Sequence, residues 1–215
     1  MLKSYEKIMS TAAVALGALT IPLLNFGAGA TTWGLQLTAL VLLALLVAAM
    51  NMQWREKWLL VAAAILAVIG SSANWMLLPL AAAQVLLALL VTTQAMPAPL
   101  RATAMIGQAA FLQVLLTMAG SQILSHSFLL QLLFTAIPFI VASWSGKMPI
   151  WLTAVLVVGL AVAGYFTQTL TLLVALVIII LALLPIRSAD RMPAWYWAIA
   201  FPIAQVVLQL SLLHG

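Results

Sequence analysis

A chain of 215 residues that is 67% hydrophobic and only 5% charged cannot cover the surface of a water-soluble fold, which carries about 25% charged residues. The net charge of +5 is spread singly over segment ends, without a patch or stripe, which excludes a nucleic-acid interface. Cysteine is absent, which excludes a disulfide framework, a thiolate nucleophile and a cysteine metal site.

The apolar runs are continuous, as in LTLLVALVIIILALLPI (170–186). Barrel strands would alternate polar and apolar residues. A continuous run in lipid must satisfy its backbone internally, so the expected class is an all-α polytopic membrane protein. Breaks at charges, prolines and polar clusters delimit nine expected spans: 8–27, 32–52, 58–74, 76–95, 103–123, 127–144, 150–166, 169–186 and 195–213. Little chain remains for loops, so residues 1–215 read as a single transmembrane domain. The first span follows a basic start and ends near Ala-Gly-Ala at 28–30. That is the outline of a cleavable signal peptide, but the long apolar run favours a retained span.

Lys and Arg in short loops set orientation. Lys3 and Lys7 precede the first span. Arg55 and Lys57 follow the second, Arg101 the fourth, Lys147 the sixth, and Arg187 and Arg191 the eighth. With nine spans all eight cations fall on one side. The expected topology is a cytoplasmic amino terminus and an outer carboxyl terminus in a bacterial inner membrane. Trp54, Trp58, Trp144, Trp151, Trp195 and Trp197 then lie near cytoplasmic ends, and Trp33 and Trp75 near outer ends. Indole prefers the headgroup level, so these read as anchors in the lipid bilayer.

Met-Pro occurs at 96–97, 148–149 and 192–193, each time beside a basic residue. Met52 holds the matching place in a fourth basic turn, giving steps of 44, 52 and 44 (96 − 52, 148 − 96, 192 − 148). The pattern predicts two parallel four-helix repeats, 31–123 and 127–215, offset by 96 residues. Laying 97–119 on 193–215 gives identities at Pro97/Pro193, Ala98/Ala194, Ala102/Ala198, Ala104/Ala200, Leu112/Leu208, Gln113/Gln209 and Leu116/Leu212. The competing explanation is local: Pro suits a helix start, where its missing N–H would be unpaired anyway.

No expected span contains an interior Asp, Glu, Lys, Arg or His, which argues against a carboxylate proton relay. Gln84, Gln113, Gln205 and Gln209 sit near midspan, with Gln205 and Gln209 four apart on one face. Pro138 and Pro202 lie inside spans and each frees a carbonyl. These six residues are the expected substrate path, or else hydrogen-bonding glue between helices. Ala63, Ala67, Gly70 and Ser71, and Gly159, Ala163 and Gly164, form small-residue stripes for close packing.

Catalysis is not expected. His126 and His214 stand at outer ends without a carboxylate, and Ser143 and Ser145 fall on the opposite side. Ser125 and Ser127 flank His126 but have no acid to orient the ring. Two histidines do not make a metal site. No cofactor is implied. The opening RATAMIG (101–107), after a short basic turn, resembles helix openings in the membrane domain of fusaric-acid-resistance exporters. The resemblance covers under a tenth of the chain and assigns no residue roles. Two readings follow. One is a small carrier or exporter of a neutral, amphipathic or lipid-like substrate. The other is a non-catalytic subunit, paired with other membrane proteins or with copies of itself.

Overall fold

The computed structural model describes residues 4–27, 34–51, 57–72, 74–121, 124–186, 188 and 192–213. Among these the chain is all-helical, with nine α-helices and no strand. They are α1 (Ser4–Gly27), α2 (Leu35–Met50), α3 (Lys57–Ser71), α4 (Leu78–Thr93), α5 (Ala98–Ser121), α6 (His126–Ser143), α7 (Ile150–Phe166), α8 (Leu172–Leu183) and α9 (Ala194–Leu213).

Among the described residues, five helices are long and apolar enough to cross a membrane: Tyr5–Leu24, Trp75–Thr93 (with a leading 3-10 turn), Ala98–Ser121, His126–Ser143 and Ala194–Leu212. The other four are apolar but shorter. α8, with 12 residues, rises only about 18 Å against a hydrocarbon core of about 30 Å. Large apolar side chains stand exposed along the helices, among them Leu16, Leu42, Ile65, Leu86, Leu176 and Ile180. Lipid is the solvent in which such an exterior is stable.

The helix starts have local causes. Each Met-Pro corner immediately precedes a helix: α5, α7 or α9. In each, the proline carbonyl accepts an early helical amide: Arg101 N–H to Pro97 (3.0 Å), Leu152 N–H to Pro149 (3.0 Å) and Tyr196 N–H to Pro193 (3.0 Å). Proline thus begins the helix without wasting a donor. Ser125 caps α6 by accepting from the Phe128 amide (3.2 Å), and Thr171 caps α8 by accepting from the Val174 amide (3.4 Å). At the α7–α8 corner Gln168 has φ 57°, a left-handed conformation that ends α7.

The chain divides into two compact units. One comprises Met1–Met96 with Gly107–Leu124, the other Pro97–Ile106 with Ser125–Gly215. Helix α5 belongs partly to each. In the first unit α2 packs on α1, α3 and α4, and α3 on α4. In the second α6 packs on α7, α8 and α9, α7 on α8, and α8 on α9.

The two units bury matching faces. α3 buries Ala63, Ala67 and Gly70, and α7 buries Val157, Ala161 and Gly164. α4 buries Ala81, Gln84, Ala88 and Val91. The segment from α8 onward buries Ala175, Ile178, Ala182 and Pro185. Taken in order, the members of each pair are 94 residues apart (157 − 63). At that offset LAVIG (66–70) meets LAVAG (160–164), and LALL (87–90) meets LALL (181–184).

Glycine is required at two of these places. A Cβ on Gly70 would overlap the buried Leu40 side chain of α2. One on Gly164 would lie 2.6 Å from Leu170 Cδ1 and 3.2 Å from Phe134 Cγ of α6. Leu40 and Phe134 are themselves 94 apart (134 − 40). The expected stripe on α7 needs correction. Gly159 is exposed, and a Cβ there would meet nothing within 4 Å, so the packed small positions are Ala161 and Gly164.

Candidate functional site

Of the midspan glutamines, Gln84 and Gln113 belong to the first unit and Gln205 and Gln209 to the second. Gln113 of α5 donates its amide to the Gly17 carbonyl of α1. Pro22, inside α1, denies an amide donor to the neighbouring carbonyl of Ala18. Gln113 therefore binds two helices across a locally interrupted backbone. Gln84 is buried in α4, and its Oε1 has no hydrogen-bond partner among the described residues. Gln205 is buried and Gln209 half-buried, both on α9. Pro138 and Pro202 lie inside α6 and α9 and are buried.

A polar pair not anticipated from the residues links α2 to α5. Asn51 Nδ2 donates to the Val47 carbonyl (3.2 Å) and to Gln108 Oε1 (3.2 Å). Both side chains are buried. The available signal was Gln108 itself, an amide inside an apolar run. In the second unit, polar contacts sit at helix ends. Trp144 Nε1 donates to Thr103 Oγ1 (3.0 Å), Tyr196 donates to the Leu181 carbonyl (3.0 Å), and the Thr171 and Ser211 hydroxyls pair at 2.9 Å.

The second unit also holds a cavity of about 210 Å³. The start of α5 contributes Pro97, Ala98 and Pro99. The end of α6 and the turn after it contribute Ser143 and Lys147. Met192 and Trp197, around the start of α9, complete it. The cavity thus takes Pro97 from the first Met-Pro corner and Met192 from the third, with Lys147 standing next to the second. None of the four glutamines lines it.

The expected anchors divide by exposure. Trp58, Trp75 and Trp151 are exposed, as a ring at the lipid headgroups would be. Trp144 and Trp195 are half-buried. Trp197 is 2% exposed, with its ring packed edge-on to Tyr196 at 5.2 Å. Of the orienting cations, Lys57 opens α3, Arg101 lies one turn into α5 and is 8% exposed, and Lys147 is exposed. Trp33, Trp54, Arg55, Arg187 and Arg191 lie outside the described residues, as do the Met52 turn, Ala-Gly-Ala at 28–30 and His214. Ser125 and Ser127 pair their hydroxyls at 3.1 Å beside His126, an arrangement that serves the cap of α6. Among the described residues no group of three His, Cys, Asp or Glu is placed to hold a metal.

Compared with known proteins, this chain matches no protein-family model, no curated protein and no solved structure.

Proposed function

We propose that this chain is a small carrier or exporter for an amphipathic or lipid-like molecule, built from α1 followed by two parallel four-helix repeats, α2–α5 and α6–α9. The observation that carries the reading is the common register of α3–α4 and α7–α8. Seven buried positions recur at one offset, one of them glycine, and the residue that glycine packs against, buried Leu40 of α2 or half-buried Phe134 of α6, recurs at the same offset. Independent helices in lipid have no reason to share a packing register over two successive elements. The Met-Pro offset of 96 residues then implies a connection before α9 two residues longer than that before α5. Parallel repeats of this kind occur in transporters, which place substrate between their halves. Interior Pro138 and Pro202 supply kinks, and the expected spans carry no interior carboxylate of the kind that couples protons.

The test is flux. Purified protein in liposomes should speed movement of a fluorescently tagged amphiphile between leaflets, read by quenching of the outer leaflet. A rate equal to that of protein-free liposomes would sink the carrier reading. The subunit reading has one observation of its own: Gln113 spends its amide on a backbone carbonyl, as structural glue does. Native purification with a stoichiometric membrane partner, together with null flux, would favour it.

The reading includes nine spans in a bacterial inner membrane, with a cytoplasmic amino terminus and an outer carboxyl terminus. Ser127 and Gly146 are both exposed and test it. Ser127→Cys should react with an impermeant thiol reagent in intact cells. Gly146→Cys should react only after permeabilisation. The reverse result would discard the topology.

A further inference from the structure

That two Met-Pro corners and the lysine beside the other line one cavity is not explained by helix starting, which each proline performs alone. We propose that the cavity at these corners binds the phosphate of an amphiphilic phosphoester, with the anionic headgroup of a phospholipid as the expected source. The site is a property of the second unit and holds for a carrier and for a subunit alike.

The chemistry is cationic and donor-rich. Lys147 lines the wall, and among the described residues no Asp or Glu does. Ala98, also on the wall, opens a helix of 24 residues, and its amide has no acceptor among the described residues. The amino end of a helix favours an anion through both its free amides and its dipole. Trp197 supplies an observation independent of that helix. It lines the cavity while 2% exposed, and its indole N–H has no hydrogen-bond partner among the described residues. A donor-only group on a residue that lines a cavity is matched by an acceptor-only ligand. Three kinds of donor on separate segments suit the several oxygens of a phosphate better than the two of a carboxylate.

The remaining wall is apolar: Pro97, Pro99 and Met192. It would receive the carbon portion of the ligand, and the flexible thioether adapts to its shape. The volume of about 210 Å³ exceeds the roughly 150 Å³ that accommodates benzene in an engineered cavity, so a phosphate with its ester carbons has room. Basic pockets between helices near the membrane surface are where lipid headgroups are recognised.

The test uses the full chain purified in a neutral detergent, with binding read by thermal shift and native mass spectrometry. The probes are phosphatidylglycerol, phosphatidylcholine and glycerol 3-phosphate. Phosphatidylglycerol should bind saturably. Lys147→Gln should weaken it about tenfold, as expected on loss of one charge-assisted contact; Lys147→Arg should restore most of it. Trp197→Phe, which keeps the ring and removes the N–H, should weaken it severalfold. Lys7→Gln, a basic change in the other unit, should leave it unchanged. Protection by phosphatidylglycerol alone identifies a lipid source; equal protection by glycerol 3-phosphate identifies a soluble phosphoester. Phosphatidylcholine should bind more weakly than phosphatidylglycerol. Identical phosphatidylglycerol curves for wild type and Lys147→Gln would overturn the proposal, as would an equal loss in Lys7→Gln.

Discussion

Helices α3–α4 and α7–α8 present the same packing face but fill it with different chemistry. Ala67 and Ala161, Gly70 and Gly164, and Ala88 and Ala182 are the same residue in the same buried position. Gln84 and Ile178 are not: one slot holds an amide, the other a branched alkyl. The small residues are therefore the demand of the architecture, because at the glycines neighbouring side chains occupy the space a Cβ would take. Under the proposed repeat the residue at 84 is not demanded by packing, since the corresponding position holds an alkyl chain. A buried polar group that packing does not demand is where a special role, if any, should be sought.

The largest effect should come from filling the shared glycine. Gly70→Ala and Gly164→Ala should each destabilise the fold by about 1–3 kcal/mol, the usual cost of overpacking, seen as a lowered thermal midpoint in detergent. Gly159→Ala is the control and should be neutral or slightly stabilising, because its Cβ meets open space. Equal losses at Gly70 and Gly159 would break the comparison between the two units.

Gln84 sharpens it. Gln84→Leu removes a buried oxygen without a partner and should keep or raise stability, by up to about 1 kcal/mol. Flux measured on this variant then separates a path residue from a filler. Lost flux with intact stability assigns Gln84 to the path, and full flux removes it from consideration.

Smaller effects belong to the polar contacts in which the units differ. Thr103→Val removes the acceptor of Trp144, and Gln108→Leu removes the acceptor of Asn51. Each should cost about 0.6 kcal/mol, the average for hydrogen bonds between membrane helices. Denaturation in mixed detergent would resolve such a change, and a loss several times larger at Gln108 would mark the buried pair as a hub. Gln168→Gly should stabilise by about 1 kcal/mol by relieving a left-handed residue that carries a Cβ.

Much of the helix pattern was legible because its causes are local. The apolar runs, the Pro starts at 97, 149 and 193 and the Ser125 cap act within one or two turns, and the structure places helices where they pointed. Helix α5 shows the limit. It starts at Ala98 rather than 103, since Arg101, a charge read as a boundary, is accommodated within its first turns. The four short helices are a second limit, because hydropathy reports apolarity over a window and not where hydrogen bonding stops. The candidate site was legible only as its parts. The Met-Pro corners stood out by repetition, but Trp197 read as one more interfacial ring.

The residues by themselves determined an all-helical chain with helices long and apolar enough to cross a membrane, because the free energy of placing each side chain in lipid depends on that side chain alone. Which glycine meets which leucine, which amide reaches the Gly17 carbonyl, and that Pro97, Lys147 and Met192 line one cavity were decided by tertiary packing. Those are distances between segments far apart in sequence, and in an apolar background many pairings have nearly the same composition. Only the steric fit of small residues against specific neighbours selects among them.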